Sequence, residues 1–162
     1  MSRFGAIESR GRESRYPTKR KDPYEVSDRA KKHGYGLSRG DEKIIRTIQN
    51  GRSIITGEPI YDFHHEPPVA EILKARIKIG GGGIEIAVGV SNVVHALLHH
   101  VSYQITGDFG HLNEVTGILC RYDTDAATEQ AALYFERLLS GPELREATNF
   151  VLQRRKKYRL PC

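Results

Sequence analysis

The sequence predicts an α+β fold. A small antiparallel sheet, two hairpins plus one later strand, is packed with three to four helices and preceded by a flexible basic N-terminal arm. Three observations predict it. Apolar and polar residues alternate on both sides of the glycines at 80–83, which is the period of a half-buried strand. Val94, Leu97, Leu98, Val101 and Ile105 recur at the period of a helix. Charge is uneven: residues 1–39 hold 11 Lys+Arg against 5 Asp+Glu, and residues 40–162 hold 14 against 15.

That charge step sets the domain limits at an arm, 1–40, a single α+β domain, 41–157, and a tail, 158–162. The arm has few branched apolar side chains, so burial cannot offset the entropy of ordering it. Arg10, Arg12, Arg15, Lys19, Arg20, Lys21, Lys31 and Lys32 make it a candidate for binding phosphates, with Tyr16, Tyr24 and Tyr35 interleaved. Arg154, Arg155, Lys156 and Lys157 form a second basic cluster near the C-terminus.

The domain opens with a helix at 41–50, where Asp41 can cap and Ile44, Ile45 and Ile48 form a stripe. Strands at 52–56 and 60–63 flank the turn residues Gly57, Glu58 and Pro59. Pro67 and Pro68 close that hairpin. Leu73, Ala75, Ile77 and Ile79, then Ile84, Ile86, Val88 and Val90, predict a second hairpin through the glycines. Those glycines are not followed by G-K-[ST], so they do not make a P-loop. Ser91 caps the helix at 92–105, which places Asn92, His95 and His99 on the face opposite its core stripe. A strand at 114–122, a helix to about 139, and a last helix opened by Pro142 complete the domain.

Some classes are excluded or disfavoured. No apolar run approaches the roughly 18 residues of a membrane span. Residues 1–12 lack the apolar core of a secretory signal, so the expectation is an intracellular protein, cytoplasmic or nuclear. Cys120 and Cys162, far apart, suggest neither a disulfide framework nor a zinc knuckle. Cys120 is expected in the core.

Chemistry concentrates at Tyr61-Asp62-Phe63-His64-His65-Glu66-Pro67-Pro68. This stretch resembles the first motif of the HNH, or ββα-metal, endonucleases, nearest to the form seen in colicin-type DNases. The preceding 54–58 resembles the hairpin leading into the HNH histidines. Gly82-Gly83, Asn92, and His99 or His100 resemble the later glycines, Asn and final His. The resemblance covers residues 52–103, about a third of the chain. It implies a metal-dependent nuclease with His65 as general base and His64 as a metal ligand. Asn92 would orient the site, and His99 or His100 would be a further ligand. The implied cofactor is a divalent ion, Mg, Zn or Ni, and the implied partner is nucleic acid. A toxin-type nuclease would also need an inhibitor protein. The chemistry is consistent, because histidine titrates near neutral pH and a cation stabilises the scissile phosphate.

The alternative is non-enzymatic and needs no cofactor. A basic arm, strands and an amphipathic helix are similar in layout to viral matrix proteins, which bind nucleocapsid or anionic membrane and self-associate. A ribosome-associated protein with RNA-threading tails is a third expectation. Both use the basic ends and leave the histidines without a joint role.

Overall fold

The computed structural model describes residues 34–119 and 125–162. The eight basic arm candidates from Arg10 to Lys32, and Cys120, lie outside them. Among the described residues there are six α-helices, one 3₁₀ segment and a two-stranded antiparallel sheet. The α+β class is present, with more helix and less sheet than the alternation predicts.

Helix α1 spans Arg39–Ile48. Ser38, not Asp41, is its N-cap. Asp41 N–H donates to Ser38 Oγ at 3.1 Å, and Ser38 N–H donates to Asp41 Oδ2 at 2.9 Å, which closes a capping box. Of the expected stripe only Ile45 is buried; Ile44 and Ile48 face solvent. The residues after α1 form one isolated bridge, Arg52 to Pro59, instead of a hairpin. Core packing reaches outside 41–157 at both ends, because Tyr35, Leu37 and Leu160 are buried.

Strand β1 is Asp62–His65, and its partner is β2, Ala87–Val90, in the register Asp62 to Val90 and His65 to Ala87. The segment expected to pair with residues 84–90 does something else. Val69–Lys74 is a short helix, α2, starting directly after Pro68. It ends where Arg76 takes φ +56 and Ile77 N–H returns to the Ile72 carbonyl at 3.1 Å. Ile77 and Ile79 then pack on Ile72, Ile86, Tyr35 and Leu160. Their alternation therefore covers a core cluster without joining a ladder. The glycines lead into a 3₁₀ segment, Gly81–Ile86, so β2 starts later than expected.

Helix α3, Asn92–Thr106, runs from β2. Ser91 caps it, accepting from Val94 N–H at 3.3 Å, and Gly107 at φ +67 ends it. Val94, Leu97, Leu98 and Val101 meet Val88, Val90, Leu138, Ala147 and Val151 in the main core cluster. Helix α4 is Phe109–Leu119, where a strand at 114–122 was expected. Asp108 Oδ1 accepts from Gly110 N–H at 2.8 Å at its start. Packing against α3 outweighs the weak helix preference of Val115, Thr116 and Gly117. Helices α5, Asp125–Ser140, and α6, Pro142–Lys157, close the core. Among the described residues no helix is long and apolar enough to cross a membrane.

Candidate metal centre

A strand sends alternate side chains to opposite faces. In β1, Asp62 and His64 turn towards α3, while Phe63 and His65 turn away. On α3, His95 and His99 are four residues apart and so share one side. That side is turned to β1 and α4, with His99 buried and His95 half-buried. His64 stands with ring centroids 5.2 Å from His95 and 4.8 Å from His99, and His95 and His99 are 4.8 Å apart. One ring nitrogen from each lies within 4.8 Å of the other two. Tetrahedral ligands about 2 Å from a shared ion stand about 3.3 Å apart, so a closure of up to about 1.5 Å fits them to one ion.

Each of these histidines has its own carboxylate. Glu66 Oε2 is 3.1 Å from His64 Nε2, Asp62 Oδ2 is 3.4 Å from His95 Nδ1, and Glu114 Oε2 is 2.7 Å from His99 Nδ1. Glu114 Oε2 lies off the direction of the ring N–H and His99 Nδ1 has no aligned hydrogen bond, so the contact sets the carboxylate charge against the imidazole dipole. A negative charge beside Nδ1 still favours the proton there. His95 and His99 then turn their Nε2 atoms, 3.0 Å apart, towards one another. Two lone pairs at that distance repel unless a proton or a cation sits between them. Carboxylate behind imidazole in front of metal is a recurrent arrangement. Three imidazoles suit Zn or Ni better than Mg, which prefers oxygen ligands.

Burial sets the protonation states. It pushes His64 well below the usual imidazole value, and neighbouring His99 and His95 push it further down. Burial also lowers His99, against the pull of Glu114. Neutral imidazoles are the form that binds metal. Burial raises Glu66 to about 8, with the charge of Glu71 adding to it, so Glu66 is protonated at neutral pH. Its carboxyl can therefore donate to His64 or accept from it.

A second group adjoins the first. His99, His111 and Glu114 also place ligand atoms within 4.8 Å. Its contacts with Glu114 and then Glu71 hold His111 up at about 9, outweighing its burial. Burial alone would raise Glu114, but His111 and His99 carry it far below the usual carboxylate range. A cationic imidazole beside a carboxylate is an ion pair, so this group reads as support for the first.

The other sequence candidates are placed as follows. His65 lies across β1 from the three histidines, and a Cβ on Gly83 would come within 3.3 Å of its ring. Burial lowers its pKa, against the pull of Asp62, and its Nε2 has no partner. Asn92 is the first residue of α3. His100 meets Phe135 edge to face at 5.3 Å and is outside the cluster. Arg155 is buried, paired with Glu71 and donating to the Pro161 carbonyl, so it cannot reach a partner. Arg154 donates to the Glu85 carbonyl and Lys157 pairs with the Glu85 carboxylate, while Lys156 is exposed. Sequence reasoning missed His95 as a candidate ligand, although it shares a helix face with His99. It also missed Glu66, His111 and Glu114, the last two because their segment reads as a strand.

No family model, no curated protein and no solved structure matches the chain.

Proposed function

We propose that the protein is a metal-dependent, HNH-like nuclease that hydrolyses phosphodiester bonds. One observation carries this: a histidine from a strand and two from a helix converge with their nitrogens within 4.8 Å. The order strand, antiparallel strand, helix is the one that the name ββα-metal describes. His64, His95 and His99 would hold the ion and leave a position open to water or substrate, as a catalytic site needs. Bound there, a divalent cation would stabilise charge on the scissile phosphate. His95, Asp62 and Glu114 form the side open to solvent, with side-chain exposures of 14, 35 and 55%. His65 is the proposed base, on its lowered pKa and unpartnered Nε2.

The test is nicking of supercoiled plasmid by the full chain with Zn²⁺, Ni²⁺ or Mg²⁺, alongside metal binding. Zn²⁺ or Ni²⁺ is expected to bind one per chain and support nicking, with His64→Ala and His99→Ala losing both. His65→Ala is expected to bind the ion normally and nick at least about 100-fold more slowly. Unchanged nicking would remove His65 from the mechanism. A tightly bound ion with no cleavage would make the centre structural and end the nuclease reading.

A further inference from the structure

A chain of alternating charge runs behind His99. Glu114 Oε2 lies 2.7 Å from His99 Nδ1 and 3.8 Å from His111 Nδ1. His111 Nε2 is 3.3 Å from Glu71 Oε1. Glu71 Oε2 accepts from Arg155 Nη1, and Arg155 Nε donates to the Pro161 carbonyl at 2.6 Å. His111 and Arg155 are buried, so neither cation has water as an alternative partner. Glu114 has one, since its side chain is 55% exposed, yet its carboxylate stands against two imidazoles.

We infer that Glu114, braced by His111, is a positioning residue that fixes His99 as a metal ligand. The inference rests on the metal-centre reading above. An imidazole offers an ion only the nitrogen that carries no proton. Glu114 at Nδ1 keeps the proton there and leaves the lone pair on Nε2, which faces His95 Nε2 at 3.0 Å. Without that charge the proton is free to move to Nε2, where it would point at His95 and block the ion. His111 supplies the opposite charge that draws Glu114 inward, and Glu71 holds the far nitrogen of His111. Glu114 is not itself expected to be a ligand. A His99 that presents Nε2 to the centre keeps its proton on Nδ1, so it has no second nitrogen to share with Glu114 and His111.

Cobalt(II) titrated into the full chain, followed by calorimetry and by its visible absorption, tests this. The wild type is expected to bind one ion. Glu114→Gln is expected to bind one ion about 10- to 100-fold more weakly, with altered absorption bands. Glu114→Asp, which keeps the charge, should recover part of the affinity. Metal-free Glu114→Gln should unfold as cooperatively as the wild type, which separates ligand positioning from folding. Equal affinity and unchanged bands in Glu114→Gln would overturn the positioning role and leave the centre standing. Glu114→Asp binding no better than Glu114→Gln would overturn it too. So would two ions per wild-type chain, by making Glu114 a ligand. A wild type that binds no cobalt would overturn both this inference and the centre.

Discussion

Glu66 has no exposed surface, and its Oε1 has no hydrogen-bond partner. Burial first, and the neighbouring charge of Glu71 second, raise its pKa from 4.5 to about 8. A raised value means that the folded state holds a proton the unfolded chain releases. In the metal-free protein its contribution to stability is therefore complete below about pH 4.5 and is lost as pH rises through about 8. The interval corresponds to on the order of 5 kcal/mol. Glu66→Gln cannot ionise, so it should become more stable than the wild type between about pH 5 and about pH 9. Urea unfolding of both proteins across that range checks it; parallel curves would show that Glu66 ionises freely in the fold. None of this was legible in the sequence. Glu66 was visible only as the acid after two histidines, and its proton depends on burial by distant elements. His64 was legible, because an adjacent His pair before an acid and a proline already marks a chemical site. His65 was equally visible, but only the strand's alternation separates its face from that of His64.

At the scale of elements, β2 is the least obvious piece. Among the described residues its only ladder partner is β1, and Gln49 and Ile54 hydrogen-bond to Gly89 on its other edge. Gly89 N–H donates to Gln49 Oε1 at 2.8 Å, and Gln49 Nε2 donates to the Gly89 carbonyl at 3.0 Å. The Gln49 amide thus takes the place of a strand's backbone. Ile60 packs on the same glycine so closely that a Cβ there would lie 2.5 Å from Ile60 Cδ1 and 2.9 Å from Cγ1. Gly89→Ala should therefore cost roughly 1–3 kcal/mol by overpacking. It should weaken metal binding too, because β2 holds β1 and its His64 against α3. Thermal unfolding and a metal titration check both; an unshifted melting temperature would mean that Ile60 moves aside without penalty. Helix α3 was legible in full, since its apolar period, Ser91 cap and Gly107 stop agree. Helix α4 was not, because Val115, Ile118 and Leu119 with an internal Gly117 read as strand. That misreading hid the His111–Glu114 pair, whose spacing of three residues is itself a helical signal.

At the scale of the molecule, charge and fold separate. Residues 1–33 hold 10 Lys+Arg and 5 Asp+Glu, while residues 34–162 hold 15 of each, so the net +5 lies entirely before the described fold. The C-terminal basic cluster offers less than its sequence suggests. Arg155 is buried, and Arg154 and Lys157 are both engaged with Glu85. If nucleic acid is the partner, the neutralising of phosphates then falls chiefly to the first 33 residues. Deleting them, and stopping short of the buried Tyr35 and Leu37, should leave the thermal unfolding and metal affinity of the remaining chain unchanged. Affinity for duplex DNA should fall, and its dependence on salt should flatten by about 0.9 in log–log slope for each phosphate that the arm neutralises. Five such phosphates would remove between about four and five from the slope. The same deletion assayed on anionic lipid vesicles separates the matrix-like alternative, in which vesicle binding is abolished and the wild type never cleaves DNA. An unchanged DNA salt slope would move the nucleic-acid interface onto the folded domain, where the open side of the three-histidine centre is the first surface to mutate.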